Sequence, residues 1–253
     1  MKELKAKVKS NECIAQGIYA MTLTLPEEVS VRGGQFLNVS TGNKAKLLKR
    51  PFGIMRRDGA DVTFCYQLKG EGTECLAAAK VGDELEVLLP LGNGFNIPES
   101  VKNVAVIGGG VGIFPLLSVI ESVKGKNYYS YIGFRGKQFA CLTEDFKNSS
   151  KYLKIVTDDG SIGEKTNAVA AFMAERDNVK ADMIIACGPP VMLRALKKSL
   201  SDAGDKTPCL VSLEERMGCG IGACLVCVCR KSGGSNARVC KDGPVFNINE
   251  VEL

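Results

Sequence analysis

Four thiols near the end of the sequence stand at a spacing with chemical meaning. Cys219-Gly220-Ile221-Gly222-Ala223-Cys224-Leu225-Val226-Cys227 is followed, after twelve further residues, by Cys240. C-x4-C-x2-C…C is the plant-type spacing for a [2Fe–2S] cluster held by four thiolates. A rhombic cluster needs several ligands from one tight loop wrapped around it. Gly218, Gly220 and Gly222 are expected to reach positive φ there and to turn their amides toward the bridging sulfides. A structural zinc site is the competing reading, but zinc modules usually bring two separated C-x2-C pairs around one tetrahedral ion. A C-x4-C-x2-C loop with glycines between its ligands does not fit that pattern. The chain is therefore expected to move single electrons.

The remaining composition narrows the chemistry. The 253 residues contain no histidine, which removes imidazole acid/base catalysis, Rieske ligation and His-bound metals. Net charge is +5, from 33 basic and 28 acidic residues spread along the chain, so no clustered basic face points to nucleic acid. The start, Met1-Lys2-Glu3-Leu4-Lys5, has no apolar signal region, and no segment reads as a membrane span. The expectation is a cytoplasmic protein with reduced thiols. Cys13, Cys65, Cys75, Cys141 and Cys209 are expected to pack as small hydrophobes, and Cys229, beside the cluster loop, is by spacing a spare.

The length suggests two or three units to position the loop. Residues 1–98 alternate in short runs such as Tyr19–Leu25, Gln35–Val39, Asp61–Tyr66 and Glu84–Leu89, broken at Gly33-Gly34, Asp58-Gly59 and Gly82-Asp83. That pattern predicts a small antiparallel barrel or sandwich. One helix over Glu74–Ala79, with Thr73 as N-cap, follows Gly70-Glu71-Gly72 and forms a candidate anion site. Arg50-Pro51-Phe52-Gly53-Ile54 sets a guanidinium beside a rigid extended segment, on a strand edge just before a hairpin turn. An edge proline with a solvated arginine would read the same way.

Together these segments resemble the flavin domain of the ferredoxin–NADP reductase superfamily. The resemblance implies that Arg50, Pro51, Phe52 and Gly53 run along FAD, as do Cys65, Tyr66 and Gln67, with Gly72 and Thr73 at the diphosphate. Gly53 stands where that superfamily usually has serine, so a hydroxyl contact to the flavin is replaced by a backbone amide or absent.

Residues 99–207 change period. Val104–Ile107 is a continuous apolar strand, and strand-like runs recur at Tyr128–Phe134, Leu153–Thr157 and Met183–Cys187. Helical patterns lie at Leu116–Val123, Thr166–Glu175 and Val191–Leu200. The alternation predicts an α/β unit with a parallel sheet and a nucleotide at the carboxyl ends of its strands. Gly108-Gly109-Gly110-Val111-Gly112-Ile113-Phe114-Pro115 lacks the last glycine of G-x-G-x-x-G but resembles the reductase pattern Gly-Gly-Gly-x-Gly-x-x-Pro. Its glycines, Gly109, Gly110 and Gly112 in particular, would let the backbone approach a diphosphate. Cys187-Gly188-Pro189-Pro190-Val191-Met192 resembles the superfamily's Cys-Gly-Pro-x-x-Met, which implies that Cys187 and Gly188 stand beside a nicotinamide. Asp158-Asp159-Gly160-Ser161 reads equally as a segment approaching the cofactor and as an acidic surface turn. Nothing reads as a 2′-phosphate pocket, so NAD is favoured over NADP.

Residues 208–253 form a small [2Fe–2S] subdomain, and the order of units specifies a relay. A nicotinamide exchanges paired electrons, a [2Fe–2S] cluster exchanges single ones, and a flavin does both, so the flavin must stand between them. No catalytic acid or base is evident. About forty-five residues are too few to enclose a cluster deeply, so one face should be open to a redox partner.

Ser212-Leu213-Glu214-Glu215-Arg216-Met217-Gly218-Cys219, with Cys224, Cys227 and Cys240 and the closing Lys241–Phe246, resembles the electron transfer subunits of the NAD-dependent class 1B dihydroorotate dehydrogenases, over essentially the whole chain. The resemblance implies an FMN-containing catalytic partner that oxidises dihydroorotate in pyrimidine biosynthesis. It also implies a heterotetramer with two copies of each subunit, and electron flow through [2Fe–2S] and FAD to NAD⁺. The rival family is the small subunit of NADH-dependent ferredoxin:NADP oxidoreductases, hydrogenases or sulfide dehydrogenases, which has the same three parts. A redox-sensing module that holds flavin and cluster without turnover is the alternative of a different class.

Overall fold

The computed structural model describes residues 1–43 and 45–253. Six antiparallel strands come first: β1 (Lys2–Ala15), β2 (Ile18–Thr24), β3 (Phe36–Val39), β4 (Arg50–Asp58), β5 (Asp61–Gln67) and, after helix α1 (Glu71–Ala77), β6 (Glu84–Leu91). They close into a barrel in the order β1-β2-β5-β4-β3-β6. Period-two patterning drives the closure: in β6, Leu85, Val87 and Leu89 are buried while Glu84 and Glu86 are exposed. Met21, Leu23, Leu37, Phe64 and Val87 fill the interior, each such side chain contributing about 1.5–3 kcal/mol on full burial.

Two local expectations are corrected here. Helix α1 begins at Glu71 with Gly70 at its N-cap position, so Thr73 is not the cap but the helix's third residue. The Thr73 hydroxyl reaches backward, accepting from the amides of Lys69 (2.9 Å) and Gly70 (3.2 Å) and donating to the Gly70 carbonyl (2.8 Å). The strand beginning at Arg50 continues to Asp58, which places the hairpin turn well beyond Ile54.

The second unit contains β7 (Asn103–Gly109), α2 (Ile113–Ser122), β8 (Asn127–Phe134), α3 (Thr143–Ser149), β9 (Tyr152–Thr157) and β10 (Glu164–Lys165). It continues through α4 (Ala168–Val179), β11 (Met183–Cys187), α5 (Pro190–Asp202) and β12 (Cys209–Ser212). The rest of the chain adds a hairpin of β13 (Val228–Arg230) and β14 (Asn236–Arg238), the single turn α6 (Val239–Asp242) and strand β15 (Val245–Asn247). The large sheet runs β10-β9-β8-β7-β11-β12-β15. It is parallel except at β15, which pairs antiparallel with β12. Val104 and Val106 of β7 face α2, and Ala105 and Ile107 face α4 and α5, so a strand buried on both sides reads as a continuous apolar run.

The C-terminal segment is built into this body. Cys227, Val239 and Cys240 share one apolar core with Leu196 and Leu200 of α5 and with Phe36 and Leu91 of the barrel. Cys65, Cys141 and Cys209 are buried as expected and Cys75 is half-buried, but Cys13 is exposed. Beyond Lys7, β1 leaves β6 and pairs with β2 alone, so Cys13 lies on a stretch of β1 that has a neighbour on one side only. No helix among the described residues is long and apolar enough to cross a membrane.

Helix α2 joins the two larger units. Gly33 fits against it so closely that a Cβ there would fall 2.7 Å from the Val119 Cα, and Arg56 of β4 donates to Glu121 (2.8 and 2.5 Å) and Asp145 (2.5 Å). Burial opposes the Arg56 charge, but hydrogen bonds, Glu121's foremost, outweigh it and raise its affinity for the proton. Arg56→Met should lower stability by about 1–2 kcal/mol, between an exposed and a buried ion pair; an unchanged thermal midpoint would show that the ion pair does not hold the units together.

Candidate functional site

Strands β4 and β5 separate at one end. Their pairing runs from Ile54 and Phe64 to the hairpin, so Arg50–Gly53 pair only with β3 and Cys65–Gln67 only with β2. A cavity of about 260 Å³ opens in the gap. Pro51, Phe52 and Gly53 form one wall, Cys65, Tyr66 and Gln67 another, and Thr73 also lines it. Phe52 stacks on Phe64 (5.0 Å between centroids), and Tyr66 stacks on Tyr19 (5.5 Å) while its hydroxyl donates to Asn11 (2.9 Å). These contacts hold the walls apart. Arg50 and Gly72 stand together rather than in the lining: a Cβ on Gly72 would fall 2.5 Å from Arg50 Nε, and Arg50 also donates to the Leu48 carbonyl.

Two other parts of the chain complete the enclosure. Val111, Phe114, Pro115 and Cys187 come from the nucleotide unit, and Ser212–Glu215 and Met217 from the segment entering the cysteine loop. Burial, then the neighbouring Glu214 charge, pushes the Cys187 thiol upward, with Ser212 opposing. Glu214 also lines the cavity; although the residue is exposed, desolvation of its carboxyl raises its pKa against the pull of Lys69. Lys69 carries no motif signal, and Pro115, Ser212 and Glu214 stand in motifs read for the nucleotide turn and the cysteine loop; only the fold brings them to this cavity.

The predicted nucleotide residues meet at the point where the sheet's strand order reverses, between β7 and β11. A nucleotide is expected at such a crevice, beyond the carboxyl ends of the strands. Gly110–Gly112 form a 3₁₀ turn between β7 and α2. A Cβ on Gly112 would fall 2.5 Å from the Cys187 carbonyl and 2.6 Å from the Gly188 Cα. Gly109 abuts Met192 and Pro189 in the same way, whereas nothing lies within 4 Å of the Cβ direction at Gly110. Helices α2 and α5 both start here, with Pro115 in the first turn of one and Pro190 opening the other, and such N-termini suit a phosphate.

The cysteine loop turns at Gly220 (φ 73°) and Gly222 (φ 83°). Gly218 does not adopt positive φ; its lack of a side chain makes room for Cys224 Sγ, which a Cβ would approach to 3.1 Å. The amides of Ile221, Ala223 and Cys224 donate to Cys219 Sγ at 3.3–3.4 Å, and the Cys219 amide donates to Cys224 Sγ at 3.3 Å. The Cys240 amide donates to Cys227 Sγ at 3.4 Å. The thiols thus come as two pairs, Cys219 with Cys224 and Cys227 with Cys240. Among the described residues no point gathers three or more His, Cys, Asp or Glu side chains.

Burial raises the Cys219 thiol, but the N–H donors of Ile221, Cys224 and Ala223 prevail and bring it down to about 6. Cys240 is pushed up to about 12 by burial and by Cys227. Arg238 donates to Asp242 twice at 3.0 Å and to the Gly222 carbonyl at 3.2 Å, tying the loop to α6. Amides converging on sulfur, with glycines where a Cβ would crowd neighbouring atoms, fit an iron–sulfur cluster. The gap between β4 and β5 fits a planar ring, and the glycine turn fits a diphosphate.

Residues 214–252, which include all four thiols, match the family described as the iron–sulfur cluster binding domain of dihydroorotate dehydrogenase B. The dihydroorotate dehydrogenase B (NAD(+)) electron transfer subunit of Caldanaerobacter subterraneus subsp. tengcongensis is 41% identical over 255 residues, covering 98% of each chain. That of Clostridium acetobutylicum is 37% identical, covering 98% of this chain and 96% of its own. The chain belongs to the electron transfer subunits of NAD-dependent dihydroorotate dehydrogenase B.

Solved structures place this electron transfer subunit in a wider fold. The NADH-dependent reduced ferredoxin-NADP oxidoreductase, a member of the rival family, is similar at TM-score 0.86 and 26% identity, over 98% of this chain and 89% of that one. Phthalate dioxygenase reductase shares the fold at TM-score 0.67 and 16% identity, over 99% and 96%. The curated relatives separate the two families where the fold does not.

The Cys219 environment carries a pH signature. In the cluster-free protein, thiolate is present above the lowered pKa and lost below it. Alkylation of Cys219, followed by peptide mass spectrometry, should show a midpoint near pH 6; a midpoint near 9 would mean that the amides do not converge on its sulfur.

Proposed function

We propose that this subunit carries electrons from an FMN-containing catalytic partner to NAD⁺, with a [2Fe–2S] cluster on Cys219, Cys224, Cys227 and Cys240, FAD in the β4–β5 cavity and NAD at the β7–β11 crevice. One observation carries the reading: a single cavity is lined by the barrel, by the nucleotide unit through Cys187 and Pro115, and by the segment leading to the cysteine loop. A flavin there touches both neighbours. Bound FAD supplies the exchange between the paired electrons of a hydride and the single electrons of an iron–sulfur centre.

The chain's own residues bind and orient. Phe52 and Tyr66 keep the cavity open, Arg50 held over Gly72 offers a cation to the flavin diphosphate, and the Gly109–Gly112 turn with Gly188 receives the dinucleotide. Cys187, kept as a neutral thiol by burial, forms a compact apolar surface where the nicotinamide meets the flavin. We assign no described residue of this chain the role of catalytic acid or base, and dihydroorotate is oxidised on the partner. Residues 1–98, 99–207 and 208–253 act as flavin, nucleotide and cluster units, the last of them anchored through β12 in the sheet of the second.

The partner meets the cluster loop, where Ile221, Leu225 and Val226 are exposed. An apolar patch beside a redox centre suits a protein surface. The relatives' name, electron transfer subunit, supports such a partner, and a heterotetramer of two copies of each subunit is the assembly we infer. A reducing cytoplasm, where free thiols persist, is the compartment we infer.

The test is the anaerobically prepared complex. Cys224→Ser should abolish dihydroorotate-dependent NAD⁺ reduction while NADH oxidation by an artificial dye persists. Coupled activity at the wild-type rate would take the cluster off the path. Gly72→Val should displace Arg50 and reduce bound flavin several-fold; full FAD occupancy would contradict the diphosphate assignment.

A further inference from the structure

Asn38 lies between the flavin cavity and the cysteine loop. On β3, Leu37 and Val39 enter the barrel interior while Phe36 and Asn38 point outward. Across the strand pair, Asn38 is opposite Pro51 and Phe36 is opposite Gly53; Phe36, Pro51 and Gly53 all line the flavin cavity. This outer face of the barrel is a floor shared by the cavity and the cysteine loop. The loop rests directly on Asn38: a Cβ on Gly220 would collide with Asn38 Nδ2, and would meet Leu91 Cδ1 at 3.2 Å.

The Asn38 side chain is 1% exposed, and its Oδ1 has no hydrogen-bond partner. A buried amide ordinarily satisfies its acceptor. Here the acceptor is unpaired and the donor end is turned toward the loop, beside a residue adjacent to Cys219. A donor end facing the loop suits an anionic array of thiolates and sulfides. Hydrogen bonds to sulfur are among the features that set an iron–sulfur reduction potential.

We propose that Asn38 is a positioning residue that donates a hydrogen bond from the flavin barrel to the cluster, raising the cluster's reduction potential from the side that faces FAD. Gly220 then serves two ends, the left-handed turn of the loop and the close approach of the Asn38 amide. The proposal rests on the four-cysteine cluster reading; wild-type protein without iron and sulfide would sink that reading, and is distinguishable from a loaded cluster indifferent to Asn38.

The experiment is anaerobic potentiometry of the full subunit, followed by electron paramagnetic resonance of the reduced cluster. Asn38→Leu has similar volume and no donor. With iron, sulfide and FAD content at wild-type levels, it should shift the cluster potential negative by about 59 mV, a tenfold change in a one-electron equilibrium constant. An unchanged potential at full occupancy would overturn the proposal. Should the variant lose its iron, wild-type protein labelled with ¹⁵N-asparagine decides: a nitrogen coupling to the reduced cluster at hydrogen-bond range supports it, and no coupling overturns it.

Discussion

Half of β4 has no second neighbour. From Arg50 to Gly53 the strand pairs with β3 alone because β5 turns away after Phe64, and the gap is held open by Phe52, Phe64 and Tyr66 packed into one another. A barrel that closed fully here would have no room for a ring between its strands. The rest of the molecule is arranged around that gap: α2 brings Pro115 to its rim, β11 ends in Cys187 beside it, and the chain leaving β12 passes along it before turning into the cysteine loop.

The same geometry accounts for the size of the C-terminal unit. A segment this short could not bury an apolar core alone. It borrows one, placing Cys227, Val239 and Cys240 against α5 and the barrel's Phe36 and Leu91, and lending β15 to the sheet edge. The cluster loop is thereby fixed on the barrel floor on one side and left with Ile221, Leu225 and Val226 exposed on the other. A firm seat toward the flavin and an open face toward a partner are what a relay requires.

What the sequence made legible was local. The cysteine spacing, the glycine turn before α2 and the alternating strands each fit within a few residues, and the structure keeps them. The β4–β5 gap was not legible, because it depends on where the pairing of two strands stops. Glu214, Lys69 and Pro115 reach the cavity only through the fold. Thr73 was misread for a related reason: its hydroxyl caps backward from inside the helix, and a threonine beside a glycine turn looks alike in either role. Gly218 differs from Gly220 and Gly222 because a neighbouring sulfur, rather than a turn, crowds its side-chain position. Asn38 carries no motif at all; only the fold sets Gly220 upon it.

The central claim is that the flavin stands between nucleotide and cluster, with no direct route past it. Anaerobic rapid mixing of NADH with subunit stripped of FAD but retaining its cluster tests this most directly, followed by the cluster's visible absorbance. The cluster should stay oxidised, and restoring FAD should restore its reduction. Prompt reduction of the cluster by NADH without flavin would contradict the account.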